Sequence, residues 1–463
     1  MTMDVQRQIE RDRTKAFYAL LVERLGEDVW AERKAAYVER VRAKESQFNI
    51  KLPVEPQLFV PTEDDIDWYI LACYLSHTIP YSDSAYSSRR IYPYAMAIGA
   101  VARELERVPN VADVLDKMLA NNNQPEKQIF ELLTAAFYIK NGYEVSFIPE
   151  GSITWPDGKT KKSPDMLVTM GDCEFYVECK RAQKQTQYSE VEGQTWAVIW
   201  DRLSHHMFRV APWCTVDITF HQSLAEVAVE RVLESLDRAL KDPLSRAIND
   251  LLTVEVRVID KKALKQHYRK FSVRPNSPQQ ELLVFGNMDS NEKRSIATLA
   301  KQVIRPGTGK DILNLFVKDV ANCVGAQWRC HHEESLRLRS KHFKGLVHDG
   351  VSQIPSGKPG LVHILYETRD GIKIEELRRD KNLENISKYD ASQSSAIGVF
   401  LHSVNYYPFE DDYDWAETVD NFGRIPDLFD LFPRQTLMIS AGSTLEVPDI
   451  THWQQDKSAR EIR

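Results

Sequence analysis

The chain has 463 residues, which is too long for one ordinary core and indicates roughly two to four domains. Its hydrophobic fraction of 43% and charged fraction of 27% are those of a globular protein and exclude wholesale disorder. The net charge of −7 excludes a protein that coats nucleic acid through bulk positive charge, although a local basic groove is compatible with it.

The beginning of the chain and its cysteines bear on where the protein works. The first residues are charged and contain no apolar segment of the kind found in signal peptides. No stretch approaches the ~18 apolar residues needed to span a bilayer. Six scattered cysteines are sparse for a disulfide framework. These features predict a cytoplasmic protein with no membrane association.

Residues 1–120 are predicted to form an N-terminal helical region. Phe17, Leu20, Leu21 and Leu25 recur at the spacing of one helical face, and a second charged amphipathic run follows them. Two proline-containing stretches break the helices into pieces, and two further helices are predicted before the region ends.

Residues 121–260 change to an alternation of helices and strands, which is typical of an α/β domain. A helix is predicted over residues 125–141, and Gly142 is a plausible C-terminal stop for it. Three strands, a second helix and a fourth strand are then predicted at residues 143–148, 165–170, 174–180, 191–207 and 215–220. The predicted order is therefore α-β-β-β-α-β.

Residues 265–463 are predicted to form a C-terminal α/β domain, whose role the sequence does not indicate. Helices are predicted at residues 311–326 and 374–388. Strands are predicted at residues 360–367, 396–404 and 436–440. No repeat of standard period is found.

The strand predicted at residues 174–180 carries an acid and a lysine on one face. Because side chains alternate along a strand, Glu178 and Lys180 project to the same side, one pleat apart. The opposite side is apolar and suits a core, with Phe175, Val177 and Cys179. Asp165 begins the preceding strand, so a hairpin is expected to bring it beside Glu178.

Two carboxylates at one edge of a sheet repel each other unless a cation lies between them. Mg²⁺ prefers oxygen ligands and keeps several waters, one of which can attack a phosphodiester. Lys180 is placed to orient or deprotonate such a water and to neutralise the phosphate.

Glu131 is a fourth candidate, on the helix before the strands. That helix is apolar on most sides, so an ionised Glu within it is costly without a partner. Lys127, one turn earlier, is one such partner, and a metal or its bound water is the other.

The segments Pro164-Asp165 and Glu178-Cys179-Lys180, with Glu131 on the preceding helix, resemble the PD-(D/E)XK nuclease superfamily. This superfamily has the restriction-endonuclease-like fold, and the resemblance covers roughly residues 121–260. It implies an Mg²⁺ site, in which Mn²⁺ can substitute, with four ligands: Asp165, Glu178, Glu131 and the backbone carbonyl of Cys179. It also implies that Lys180 assists the attacking water.

The resemblance implies an Mg²⁺-dependent endonuclease that hydrolyses phosphodiester bonds, with DNA the expected substrate and RNA left open. Many members act in restriction, repair or anti-phage defence, so a role in bacterial defence is expected. A homodimer or a partner protein in a defence complex is also expected. The alternative is a catalytically silent or partner-activated nucleic-acid-binding module with a regulatory C-terminal domain.

Two alternative interpretations of these residues compete with the metal site. Glu178 and Lys180 would also suit a half-buried hairpin, where they would form a surface ion pair of little energy. Asp157 is a rival for Asp165, but it lies in a Trp-Pro-Asp-Gly-Lys run that is typical of a turn.

Polar residues around the motif are candidates for contacting the substrate. Basic and amide side chains occur in the predicted hairpin, after the motif strand and on the next helix: Lys161, Lys162, Arg181, Gln183, Lys184 and Gln194. The alternative for each is a solvated surface residue. Trp196 and Trp200, four residues apart on that helix, are predicted to be core residues.

Overall fold

A computed structural model describes most of the chain. The described residues are 3–45, 65–78, 90–120, 125–155, 162–182, 186–275, 277–287, 293–304, 316–340, 343–368, 370–390, 392, 394–408, 413–438 and 450–455.

Helices make up every regular element that the structure describes between residues 3 and 120. They are α1 Met3–Leu25, α2 Glu27–Glu45, α3 Ile66–Thr78, α4 Ile91–Gly99, α5 Ala102–Leu105 and α6 Val111–Leu119. The helical prediction is confirmed for these residues. Most side chains of α3 and nearly all of α4 are buried, as expected for helices that are apolar on most sides.

The remaining helices are distributed between strands. They are α7 Glu126–Lys140, α8 Gln187–Val210, α9 Val229–Ala239, α10 Lys261–Phe271, α11 Pro278–Phe285, α12 Glu333–Arg339, α13 Lys344–Ser352 and α14 Ile372–Ser387. The strands are β1 Glu144–Phe147, β2 Met166–Met170, β3 Cys173–Arg181, β4 Cys214–Phe220, β5 Arg246–Ile248, β6 Leu252–Val258, β7 Lys293–Ile304, β8 Phe316–Cys330, β9 Gly360–Glu367, β10 Ala396–Pro408 and β11 Tyr413–Gly423.

The strands form two mixed sheets, so the fold is mixed α/β. The first sheet has the order β1-β2-β3-β9-β10-β11. Its strands β1, β2 and β3 are antiparallel neighbours, β9 joins β3 in parallel, and β10 joins β9 in parallel. The second sheet has the order β5-β6-β4-β8-β7, with β4 and β8 parallel.

The prediction that the strand at residues 215–220 continues the sheet of β1, β2 and β3 is wrong. This strand forms, as β4, but it lies in the second sheet. The place beside β3 is taken by β9, all eight residues of which are buried. Such a strand suits the centre of a sheet covered on both faces, and local sequence does not reveal which of two apolar strands fills that place.

The order helix, three strands, helix, strand nevertheless occurs in the first sheet, with a long insertion. Helix α7 precedes β1, β2 and β3, and α13 precedes β9. The second sheet and helices α8 to α12 lie between β3 and α13 in the sequence. The two sheets therefore do not divide the sequence at residues 260 and 265, where the predicted domains meet.

Two further predictions are wrong in their described parts. The helix predicted at residues 311–326 is the strand β8 from Phe316 onward, and residues 311–315 lie outside the described residues. The strand predicted at residues 436–440 is not formed by residues 436–438, and residues 439–440 lie outside the described residues.

The two faces of the first sheet are covered by different helices. Helix α7 lies on one face, where Phe130 and Phe137 pack in a core with Phe175 and Val177 of β3. Helix α13 lies on the other face, where its apolar residues pack against Val362 and Ile364 of β9. Both α7 and α13 contact β3, so the motif strand is enclosed between them.

The described helices were also searched for membrane-spanning segments. None of them is long and apolar enough to cross a membrane.

Candidate active site

Side chains of β3 alternate between the two covered faces of the first sheet, as predicted. Phe175, Val177 and Cys179 are buried in the core that contains α7. Tyr176 packs on the opposite face, in the cluster that contains residues of α13. Glu178 therefore lies beneath α13, and only 1% of its surface is exposed.

Asp165 is fixed beside β3 by hydrogen bonds of the hairpin. Its backbone N–H donates to the carbonyl of Val177 at 3.1 Å, immediately before β2 begins. Its carboxylate Oδ2 accepts a hydrogen bond from the backbone N–H of Cys179 at 2.7 Å. The hairpin thus brings Asp165 to the motif segment, as the sequence predicts.

Glu178 is a buried carboxylate with only one oxygen bonded. Lys180 Nζ donates to its Oε1, and its Oε2 has no hydrogen-bond partner among the described residues. Burial, and then the nearby charge of Asp165, raise the pKa of Glu178 to about 8. Because both Glu178 and Lys180 are largely buried, the interpretation as a surface ion pair is wrong.

Glu131 lies on α7 and is also largely buried. Burial, and then the charge of Asp165, raise its pKa to about 7. Lys127 Nζ lies 3.8 Å from its Oε1, but 60% of that lysine side chain is exposed, so the pair stabilises the charge only weakly. Of the two partners considered from the sequence, the lysine is therefore present, and the metal or its bound water stays a prediction.

A cleft of about 110 Å³ opens beside Asp165 and Glu131. Three lysines line it: Lys117 on α6, Lys127 on α7 and Lys162 before β2. All three favour the ionised form of Glu131. Four acids line the same cleft, Asp113, Glu131, Glu150 and Asp165, so it offers contacts both to a cation and to an anionic substrate.

Lys117 was not a candidate from sequence. It lies on the polar side of α6, whose apolar residues are buried, so its direction away from the core was predictable. Its proximity to Glu131 follows from the packing of α6 against α7, which no local pattern encodes.

The atoms that the site offers as ligands are oxygens, which Mg²⁺ prefers. Asp165, Glu178 and Glu131 offer carboxylate oxygens, and Cys179 offers a backbone carbonyl directly after Glu178 in the sequence. The unpartnered oxygen of Glu178 and the raised pKa values show that a cation would relieve an existing electrostatic cost.

The acids do not form a ready-made metal shell. In the described part of the chain, no three His, Cys, Asp or Glu side chains converge closely enough to hold a metal ion. One oxygen of Asp165 is bound to the Cys179 amide and one oxygen of Glu178 to Lys180. Metal binding would therefore require these side chains to move.

The residues that were predicted to contact the substrate lie in different environments. Lys162 is exposed at the cleft, and Gln194 is exposed on α8. Arg181 instead donates to the buried Glu367 at 2.9 Å, so the phosphate contact expected for it is not supported. The remaining candidates and the rival acid lie outside the described residues: Lys161, Gln183, Lys184 and Asp157.

A buried chain of hydrogen bonds holds α7 against the first sheet. Tyr138 Oη lies 2.8 Å from His363 Nε2, and His363 Nδ1 lies 2.9 Å from His402 Nε2. His402 Nδ1 lies 2.9 Å from Glu417 Oε1. Burial, and then His402, lower the pKa of His363 well below its usual range, so its imidazole is neutral. The chain positions α7 and hence Glu131.

Trp196 is a core residue, as predicted. It is buried in the second sheet's core and stacks on Trp200 with ring centroids 6.3 Å apart.

Comparison with known proteins gives no relative. No protein-family model, curated protein or solved structure matches this chain at a significant level.

Proposed function

We propose that this chain is a metal-dependent DNA endonuclease of the PD-(D/E)XK type. One observation carries the proposal: Glu178 and Glu131 are buried acids, the nearby charge of Asp165 adds to their cost of ionisation, and Lys180 is bonded to Glu178. Buried acids of this kind are expensive, and a catalytic cation is the simplest reason for keeping them.

The order of elements around the site also supports the proposal. Helix, three strands, helix and strand, with the motif on the third strand, is the order that the resemblance implies. In this chain the second helix and the fourth strand come after the insertion, as α13 and β9.

The residues of the site have separable roles in this proposal. Mg²⁺, when bound by the acids, would lower the pKa of a water and stabilise charge on the scissile phosphate. Lys180 neutralises the phosphate or orients the attacking water. Lys117, Lys127 and Lys162 hold the phosphates that flank the scissile bond in the cleft.

DNA as the substrate, bacterial defence as the setting and assembly with a second copy or partner are also proposals. They rest on the resemblance alone.

Cleavage of plasmid DNA, linear DNA and RNA in Mg²⁺, Mn²⁺ or EDTA tests the proposal. We expect metal-dependent cleavage of DNA by the wild type. Asp165→Asn and Lys180→Met should lower the rate by at least about 100-fold, because each removes a group acting at the transition state. Asp172→Asn, an isosteric change at the exposed β2–β3 turn, should cleave like the wild type.

Two results would overturn this assignment. Cleavage that survives Asp165→Asn and Lys180→Met would place the active site elsewhere. Binding of DNA without cleavage in any metal would instead favour the silent or partner-activated module. The spacing of the acids favours that second candidate, because among the described residues no three acids converge closely enough to share a metal without moving.

A further inference from the structure

Positive charge is concentrated on α10, in contrast to the chain's net charge of −7. The helix has the sequence KKALKQHYRKF and contains no acidic residue. Its five basic residues are Lys261, Lys262, Lys265, Arg269 and Lys270.

Packing of α10 on the second sheet directs these cations outward. Leu264 and Tyr268 are buried in a core with Val317 and Val320 of β8. Apart from the half-buried Lys265, the basic residues of α10 are exposed. Since residues four apart lie on one side of a helix, Lys261, Lys265 and Arg269 form a row with steps of about 6 Å.

Two of the lysines lie over the indole ring of one tryptophan. The ammonium groups of Lys261 and Lys265 lie 5.3 and 5.1 Å from the ring centre of Trp213. Such contacts restrict long side chains before a ligand arrives, which lowers the entropy lost on binding.

Neighbouring strands add charges of both signs to this surface. Burial, and then the charges of Lys301 and Lys261, lower the pKa of Lys265. Acids are present as well: Asp319 accepts from Arg269 at 3.1 Å, and Asp260 caps the start of α10 by accepting from the backbone N–H groups of Lys262 and Ala263. A polyanion would relieve the remaining repulsion.

We infer that this α10 surface, formed by the five basic residues and Lys301, binds the phosphate backbone of DNA. The inference rests on the proposed function, because it assigns to the second sheet a role in binding the DNA substrate. An anionic membrane fits less well, because Leu264 and Tyr268 are buried and the single exposed Phe271 of α10 is too small an apolar face to insert.

The test uses the full chain and a fluorescent duplex of about 30 base pairs in EDTA, so that binding is measured without cleavage. The variant Lys261→Gln/Lys262→Gln/Lys265→Gln removes three charges from the α10 surface. The control Arg231→Gln/Arg238→Gln/Lys241→Gln removes three exposed charges from α9 and its end, on the opposite face of the second sheet.

We expect the α10 variant to bind at least about 10-fold more weakly at low salt, with a log–log salt slope shallower by roughly 2 to 3, because each phosphate contact contributes about 0.9. The control should keep the affinity and slope of the wild type. Thermal unfolding of each variant checks that the fold is intact.

Equal losses in both triple variants would overturn the inference, because bulk charge would then explain them. An α10 variant that binds like the wild type would also overturn it. So would dependence on these lysines for RNA or for phosphatidylserine vesicles but not for DNA. A wild type that binds through α10 yet never cuts would support this surface and reject the nuclease proposal, so the two failures are distinguishable.

Discussion

Glu178 shows at the scale of one residue why the site is costly. The structure buries its carboxylate, bonds one oxygen to Lys180 and leaves the other without a hydrogen-bond partner among the described residues. A buried polar group in this state costs about 1–3 kcal/mol, and more when it is charged. Packing in the core must offset this cost, so the buried acid lowers the free energy of unfolding of the protein.

The contribution of Glu178 to the free energy of unfolding should depend on pH in the absence of metal. The pKa of Glu178 is about 8 in the folded chain and 4.5 at its ordinary value. The folded state therefore binds the proton more tightly than the unfolded state does. The resulting stabilisation is fully present below the ordinary pKa and is lost as pH rises through the folded pKa.

We predict that, in EDTA, the free energy of unfolding of the wild type falls more between about pH 5 and pH 8 than that of Glu178→Gln. Urea unfolding at several pH values measures this difference. Glu174→Gln, on the same strand but half-exposed, is the matched control and should follow the wild type. Parallel curves for wild type and Glu178→Gln would contradict the prediction.

The sequence predicted the motif residues because their arrangement is local. Alternation along β3 and one hairpin are enough to bring Asp165 to Glu178. Contacts between distant segments were not predictable in this way. Arg181 was expected to face a phosphate, but its partner Glu367 is 186 residues away in the chain.

At the scale of elements, α13 covers the motif strand through a close approach. A Cβ atom at Gly350 would lie 2.6 Å from Cγ1 of Val362 and 3.5 Å from Cγ of Lys180. Only glycine therefore lets α13 lie this close to β3 and β9. The same contact closes the site over Glu178.

Gly350→Val should push α13 away from the sheet. We predict that it lowers the free energy of unfolding by about 1–3 kcal/mol, the usual cost of overpacking a core. Gly345→Val is the control, because no atom lies within 4 Å of a Cβ at that position of the same helix. Urea denaturation compares the two, and equal stabilities would refute the close-approach argument.

Strand β9, although buried on both faces, was predicted at its bounds because it is a short continuous apolar run. Strand β8 was predicted as a helix because its apolar residues on two faces recur at helical intervals. Val317 and Cys323 belong to one core, whereas Val324 and Trp328 belong to the other. Apolar residues on both faces, together with bulges in the pairing with β7, produce a spacing that resembles a helix.

At the scale of the whole molecule, a cluster of ion pairs links helices α8 and α12, which lie in the segments that connect the two sheets, to α14. Glu192 on α8 and Arg339 on α12 form a buried pair, with side chains 2% and 4% exposed. Arg378 on α14 donates to the backbone carbonyl of Arg339 at 3.0 Å and to Asp370 at 2.7 Å. The cluster therefore fixes the insertion beside the first sheet.

Removing one member of the buried pair should leave the other charge uncompensated. We predict that Arg339→Met or Glu192→Gln alone destabilises the chain by about 3–5 kcal/mol. The double variant should lose much less than the sum of the two single losses. Urea unfolding of the four proteins gives the coupling energy, and additive losses would show that the pair does not fix the two sheets together.

The insertion also affects the time at which the site can exist. During synthesis, Arg181 at the end of β3 and Glu367 at the end of β9 emerge 186 residues apart. At ribosomal rates this is a delay of roughly 10–40 s. Until β9 emerges, the growing chain contains Glu131 on α7 and the other motif residues on or beside β2 and β3, without the strand that lies next to β3. Folding of the first sheet around the candidate site must therefore wait until the insertion has been synthesised.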